Sequence, residues 1–434
     1  MRVLLVQTPS IEGIFGERVY PIGIVVLAGI LRLRGHHVEA LDMNMEEDPF
    51  GAVKERLLYF RPEAVGLSFR NIDPLANKTS SLFPPFLVTA RMVKSILPDC
   101  LLIAGGTGFS LFPQRIMSEV PEIDYGIAGE AEESLPALLD GRLKLIKGGF
   151  RLTPPSQRFD MARYKAPSRA ILDPARYADV NSYVPSIGIE AKRGCPFRCA
   201  YCVYPKLQGR KLRVREVKSV VDEMEDLNKE YGIERFHFTD PVLNSPRGHL
   251  ETICNELLRR KLNLKWSGFL REDSFDEKNA ALFERAGCEC FSFSPDGLCQ
   301  ESLDTLRKGM SVGDILKASR AAAATEVISV YHFLVNVPGE TEATCVKGEH
   351  LLEKIYGHHE RKRNLGTVVI NGIRILPGTH IEALALENGV IGPGSDLLYP
   401  TYYNPKPFDT FRYRLEAMHL NRNVFMRHGL GDAK

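Results

Sequence analysis

Short apolar runs alternate with longer helix-periodic stretches through the first part of the chain, where RVLLVQ, GIVVLAGILRLRG, HVEALDM, AVKERLLYF, AVGLSF, FLVTARMVKSIL, LLIAGG and DYGIAG follow one another. A brief apolar run bounded by turn residues suits a buried strand, and apolar positions every three or four residues suit an amphipathic helix. Their alternation predicts an α/β fold: a Rossmann-like, doubly wound parallel sheet over residues 1–142, covered on both faces. The rhythm breaks over 143–185, rich in Pro, Arg and Tyr, which reads as a linker between domains. A second alternation begins at SIGIEAK and continues through RFHFTD, LKWSGFLR, CECFSFS, VYHFLVNVP and TVVINGIRILP. Six such strands are too few for a closed eight-stranded barrel and predict an open, partial (β/α) barrel over 186–378, with active residues at the strands' carboxyl ends. Residues 379–434 form a C-terminal cap, read either as a lid or as a plain pair of helices. Its aromatic residues Tyr399, Tyr402, Tyr403 and Phe408 suit a substrate pocket or core packing equally. The cluster HHERKRN reads as a solvated helix end.

Several strands of the first domain end at once in small or polar residues: Gln7 to Ser10, Ser68, and Gly105 to Gly108. Open α/β sheets bind ligands at such carboxyl ends, so this domain reads as a ligand carrier.

Composition narrows the class. The 434 residues are 44% hydrophobic and 25% charged, as in folded globular proteins, and suit two or three domains. Lys+Arg (56) and Asp+Glu (54) nearly cancel, which removes the broad basic footprint expected of a nucleic-acid or anionic-membrane binder. No run approaches a membrane span, and MRVLLVQTPS turns polar too soon for a signal peptide. Nine cysteines are an odd number and sparse for this length, which argues against a secreted disulfide scaffold and for a reducing cytoplasm.

Six cysteines are scattered in apolar contexts that suit inert buried thiols. Cys195, Cys199 and Cys202 instead crowd into IEAKRGCPFRCAYCVYPK, directly after the first barrel strand. Spacings of three and then two intervening residues let three thiolates converge on an iron-sulfur cluster. A structural zinc would want four closed ligands, and no Cys or His pair at ligand spacing follows. With three ligands, one iron of a four-iron cluster stays open for a substrate or cosubstrate.

RGCPFRCAYC resembles the signature loop of the radical SAM enzymes. The resemblance implies a 4Fe-4S cluster on Cys195, Cys199 and Cys202, with S-adenosylmethionine (SAM) chelating the fourth iron. It extends along the barrel. Tyr201 matches an aromatic near the adenine, and FTDP, with Asp240, ends the strand that contacts the SAM amino group. Arg271 resembles a polar SAM contact, or is an exposed strand-end arginine. SFSPDG, with Ser294 and Asp296 and with LRKGM downstream, matches the ribose segment, although the usual Glu-Ser-Gly has become Pro-Asp-Gly. NVPGET, with Pro338, and RILPGT match the fifth and sixth strand signatures. Each alone is an ordinary Gly-Pro turn, but here they occur in order.

In the first domain, YPIGIVVLAGILRLRGHHV, GLS, AGGTG and GIAGEAEESL resemble the cobalamin-binding domain of one radical SAM subclass. The resemblance implies cobalamin contacts at Ser68, Gly105, Gly106, Gly129 and Glu130. The Asp-x-His-x-x-Gly that supplies a cobalt ligand in many such domains is missing, and QTPSIEGIFGERVYP contains no His. His36 and His37, at a helix-to-strand turn, read as surface residues. The tRNA methylthiotransferases need three N-terminal cysteines, and only Cys100 precedes Cys195. Cys288 and Cys290 alternate along a strand and read as core thiols, so an auxiliary cluster with Cys299 is the weaker reading.

The resemblance implies a cobalamin-dependent radical SAM enzyme, in which reductive SAM cleavage yields a 5′-deoxyadenosyl radical that activates a carbon and methylcobalamin supplies a methyl group. The expected activity is C-methylation of an unactivated carbon in a small molecule, lipid or natural-product intermediate. Cyclisation, ring contraction or coupling without methyl transfer is the alternative, and a non-catalytic cobalamin or iron-sulfur sensor is the reading from another class. Expected partners are a small-molecule or lipid-like substrate and an electron donor such as flavodoxin or ferredoxin, with no nucleic acid, on a monomer or weak homodimer. The substrate is not legible in the chain.

Overall fold

The computed structural model describes residues 1–10, 18–74, 80–153, 158–164, 169–178 and 184–404, and beyond them 411, 414–415, 417–418 and 425–429. Phe408 and part of the stretch after the first strand lie outside the described residues. Two compact units divide the chain, one running through Gly188 and the other taking up from Ile189; Leu398–Pro400 also belongs to the first.

The first unit is built on β1 (Arg2–Gln7), β2 (His37–Asp42), β3 (Ala64–Ser68), β4 (Leu101–Gly105), β5 (Tyr125–Ala128) and β6 (Gly149–Leu152). They form one sheet in the order β2-β1-β3-β4-β5-β6, parallel throughout. Helices Ile22–Leu33, Pro49–Phe60 and Phe83–Ile96 intervene, as the alternation predicts. Both faces of the sheet are covered, so β1 buries five successive residues instead of alternating. The strand order reverses between β1 and β3, and such a switch point opens a crevice at the carboxyl ends.

The segment expected to be a linker is corrected here. β6 falls within 143–185 and pairs with β5. Farther on, Phe159, Met161 and Tyr164 pack against Val26. Tyr177 donates to Asp42 Oδ2 at 2.9 Å and meets Tyr20 edge-on at 5.0 Å, and the Tyr20 hydroxyl lies 2.8 Å from the carbonyl oxygens of both Arg169 and Leu172. Phe159, Met161, Tyr164 and Tyr177 therefore belong to the first unit's core. Composition marks the loss of regular periodicity but not the surface on which an irregular segment lies.

The second unit continues with β7 (Gly188–Ile189), β8 (Lys192–Arg193), β9 (Arg213–Val214), β10 (Arg235–Phe238), β11 (Lys265–Leu270), β12 (Cys288–Asp296), β13 (Ile328–Val335), β14 (Leu365–Asn371), β15 (Ile373–Arg374), β16 (Tyr402–Tyr403) and β17 (Phe425–Gly429). Its main sheet runs β7-β10-β11-β12-β13-β14-β17. The six expected barrel strands are present, and β17 adds a parallel seventh on β14. In the C-terminal region helix His380–Glu387 is followed by β16, which pairs antiparallel with β15 from before that helix, then by helical residues at 411, 414–415 and 417–418, and by β17.

Period-two alternation sends one set of aromatic side chains into the layer between strands and helices. Trp266 meets Phe238 and Phe283 edge-on at 5.7 and 5.9 Å, and Phe275 meets Phe291 and Phe293 at 5.0 Å. In HHERKRN, Glu360, Arg361 and Arg363 are exposed just past the helix end as expected, whereas the two histidines are covered. His359 is buried with Nδ1 2.8 Å from Asn364 Oδ1, and His358 Nδ1 lies 3.0 Å from Ser319 Oγ. Among the described residues no helix is long and apolar enough to cross a membrane.

Candidate cofactor site

The three clustered cysteines leave the short hairpin formed by β8 and β9, which is antiparallel. Gly194 turns the chain with φ +94°, and a Cβ there would stand 2.2 Å from the Lys211 carbonyl oxygen, so only glycine fits this close approach. The loop is then pinned by its backbone: Cys195 N–H donates to Gly209 O at 2.9 Å, Ala200 N–H to Leu306 O at 2.8 Å, and Ile381 N–H to Ala200 O at 3.0 Å. All three thiols are free; Cys195 is buried and Cys199 and Cys202 are half-buried. Burial raises the Cys195 thiol and pushes Cys202 up to about 12, while Lys308 works in the opposite direction on both. A bound iron would deprotonate its cysteine ligands.

Charged side chains from three strand ends surround this loop. Arg271, at the end of β11, is buried, so the reading of an exposed strand-end arginine is corrected. Its guanidinium lies 3.7 Å from the Phe197 ring centroid, bonds Asp273 at 2.7 Å and donates to Lys308 O at 3.0 Å. At the end of β12, Asp296 takes the left-handed conformation with φ +61°. It accepts from Tyr201 Oη, from Ser294 Oγ at 2.8 Å and from Lys308 Nζ at 2.6 Å. Lys308 uses its other two donors on Ser294 O at 2.7 Å and Tyr201 Oη at 3.2 Å. Burial opposes its charge, but Asp296 and then Cys199 outweigh burial and raise its pKa.

Beyond β10, Asp240 is fully buried. Oδ1 accepts the backbone N–H of Ala191 and Lys192 at 2.8 and 3.1 Å, and Oδ2 has no hydrogen-bond partner, with Lys192 Nζ 3.8 Å away. Burial pushes Asp240 up to about 6 and lowers Lys192. Pro338 is buried after β13, in a turn where Asn336 (φ +60°) donates its N–H to Glu340 Oε2 at 2.9 Å. Tyr201, Arg271, Ser294 and Asp296 are thus one connected network, whereas Asp240 pins the start of the loop. Sequence reasoning missed Lys192 and Lys308. A buried lysine looks like any surface lysine in one sequence, although LRKGM lies in the matched ribose segment.

At the carboxyl ends of β1, β3 and β4 the groups are neutral and small, whereas Asp42 ends β2 and Glu130 follows β5. Ser68 Oγ donates to Gln7 Oε1 at 3.0 Å, and Thr8 Oγ1 donates to Ser68 O at 2.9 Å. Gly106 has φ +97° and lies so near Phe69 that a Cβ would stand 2.6 Å from its carbonyl oxygen. At Gly105 the nearest atom, Ile127 O, would be 3.5 Å away, so a Cβ there would make ordinary van der Waals contact. Gly129 N–H donates to Ser110 Oγ at 2.8 Å, and Glu130 Oε2 accepts Phe159 N–H at 2.7 Å. His36 is largely covered, with Nε2 3.3 Å from Asp140 Oδ1, and His37 is exposed. Cys288 is buried, and among the described residues, the three clustered cysteines included, no group of three or more His, Cys, Asp or Glu side chains is drawn together as for a single metal ion.

The residues fit the implied groups. Three free thiols beside two cations are a donor set for an anionic iron-sulfur cluster, Asp240 Oδ2 is an orphaned buried acceptor, and the switch-point crevice ends in small residues. Fold and site together define a two-unit α/β chain with a ligand-binding doubly wound sheet and a cysteine loop on an open parallel barrel.

Comparison with known proteins gives each unit its class. The family model of the B12 binding domain matches residues 13–139, and that of the radical SAM superfamily matches residues 189–347. The chain therefore carries a B12 binding domain followed by a radical SAM domain. It is 27% identical over 357 residues to an uncharacterized methyltransferase of Pyrococcus horikoshii, covering 79% of this chain and 75% of that protein. It is 27% identical over 351 residues to the anaerobic magnesium-protoporphyrin IX monomethyl ester cyclase of Rubrivivax gelatinosus, covering 75% of this chain and 60% of that one. The fold matches the radical S-adenosylmethionine methyltransferase TsrM from Kitasatospora setae, solved with cobalamin and a [4Fe-4S] cluster, with a TM-score of 0.75 and 23% identity over 91% of this chain and 79% of that chain.

Proposed function

We propose that the chain is a cobalamin-dependent radical SAM enzyme that methylates an unactivated carbon of a small molecule, lipid or natural-product intermediate. In this reading Cys195, Cys199 and Cys202 ligate a four-iron cluster; Tyr201, Asp240, Arg271, Ser294, Asp296 and Pro338 surround SAM; and Ser68, Gly105, Gly106, Gly129 and Glu130 face cobalamin. The observation that carries it is the set of three free thiols held beside buried Arg271 and Lys308, in a chain that also matches a B12 binding domain. When bound, the cofactors supply one-electron SAM cleavage and a methyl carrier.

The chain's own part is placement. Hydrogen bonds from both limbs fix the cysteine loop before any metal arrives, and Arg271 covers Phe197 and excludes water from that side. Asp240 offers an acceptor to a cationic group, and the fixed dipoles of the strand ends need no reorganisation when charge moves. A flavodoxin or ferredoxin would deliver the electron, and a monomer or weak homodimer in the cytoplasm suits the reading.

The cyclase relative supports a second reading, with the same cofactors but no methyl transfer. Anaerobic incubation of protein loaded with cluster and cobalamin, with reductant, SAM and candidate substrates, separates the two. S-adenosylhomocysteine and 5′-deoxyadenosine formed together with a methylated product support methylation, and 5′-deoxyadenosine alone supports rearrangement. Fully loaded protein that forms neither contradicts an enzyme of either kind.

A further inference from the structure

We infer that Lys308 is the fixed positive charge that sets the reduction potential of a cluster on Cys195, Cys199 and Cys202, and that Asp296 and Tyr201 are positioning residues that hold it there. The inference rests on the reading of those cysteines as cluster ligands. The geometry is specific to a charge that cannot leave. Lys308 is 6% exposed, and its three ammonium protons are matched by Ser294 O, Asp296 Oδ2 and Tyr201 Oη at 2.7, 2.6 and 3.2 Å. Its own carbonyl accepts from Arg271, whose guanidinium lies against Phe197 of the cysteine loop, so backbone and side chain are both tied to that loop. Tyr201 stands between Cys199 and Cys202 in the sequence, and Lys308 Nζ is 5.7 Å from its ring centroid.

Through its hydrogen bond to Tyr201 the ammonium is tied to the segment that carries Cys199 and Cys202. A cluster on three thiolates is anionic, and reduction adds a further negative charge, so a buried cation favours the reduced form. Net charge and hydrogen bonding are the protein's usual levers on cluster potential. A nearby opposite charge commonly moves a proton equilibrium by about one to three decades, and an electron equilibrium feels the same potential. Asp296 attenuates the field, so its removal must act with the opposite sign.

The test is an EPR-monitored redox titration of the reconstituted full-length protein. Lys308→Met is expected to make reduction at least about tenfold less favourable, a fall of about 59 mV for a one-electron couple. Lys308→Arg, which keeps the charge, should stay within about twofold of the wild type, and Asp296→Asn should move the midpoint upward. An unchanged midpoint in Lys308→Met, a shift in Lys308→Arg as large as that in Lys308→Met, or a downward or absent shift in Asp296→Asn overturns the inference. If Lys308→Met does not fold or hold a cluster, the arginine and asparagine variants decide it between them. Wild-type protein that takes up no cluster instead removes the cysteine assignment on which the inference stands.

Discussion

The two candidate binding ends of this chain are held together by different physics. Around the cysteine loop the framework is charged and buried: Asp296 with Lys308, Asp240 near Lys192, Arg271 with Asp273. At the carboxyl ends of β1, β3 and β4 it is neutral, with hydroxyl and amide hydrogen bonds at Thr8, Ser68 and Gln7 and a glycine forced at Gly106. Buried ions are costly unless well paired, so their concentration in one place is poorly explained by stability alone. It suits a loop that must meet an anionic cluster and a charged cosubstrate, whereas small neutral strand ends suit a bulky ligand that needs space.

The largest expected break falls on the charged end. Cys199→Ala should lose the cluster's visible absorbance completely while corrin uptake by the first unit is unchanged, as measured by iron, sulfide and corrin content. Retained cluster absorbance sinks the ligand assignment.

The next effect also belongs to that unit but not to the ligands. Glu272 is fully buried after β11, neither carboxylate oxygen has a hydrogen-bond partner, and burial pushes it up to about 7 from 4.5. A raised carboxyl pKa means that the folded state keeps its proton while the unfolded chain has already lost it. Stability is therefore full below about 4.5 and falls as pH rises towards 7, by about 3 kcal/mol in total. Glu272→Gln should match the wild type in urea melts near the acid end of that window and exceed it above pH 7. Equal stability of the two at both ends contradicts the burial argument.

Two glycine variants sharpen the neutral end. Gly106→Ala meets both the positive φ and the Phe69 carbonyl and should cost about 1–3 kcal/mol in the thermal unfolding of the first unit. Gly105→Ala has room for its methyl and should change stability far less; weakened corrin uptake in titrations would then place Gly105 against the ligand. The smallest effect is expected of Ser68→Ala, which removes the hydrogen bond to Gln7 and should cost about 1 kcal/mol. A much larger loss of stability, seen in the same melts, would show that Ser68 anchors more than Gln7.

The sequence made the same contrast only half visible. Strands such as RVLLVQ and CECFSFS announce themselves because burial fixes which positions are apolar, and three cysteines at such close spacing point to metal chemistry before anything else. Periodicity names a buried face but not the partner that buries it. For that reason β6 and the Tyr177 turn read as a linker, and β17 is not foreseen. Charge is still less legible, because Lys192, Lys308 and Glu272 have the composition of a solvated surface and are buried only through strand-end geometry. Arg271 reads in the sequence as a SAM contact or an exposed side chain, and its burial against Phe197 removes the second.

The central claim is that one chain carries both cofactors, one on each unit. Anaerobic reconstitution of the full chain with iron, sulfide and cobalamin, followed by counts of all three per chain, tests it most directly. The account predicts one four-iron cluster and one corrin together. A chain that binds a single zinc in place of the cluster, or a cluster with no corrin under saturating cobalamin, contradicts it.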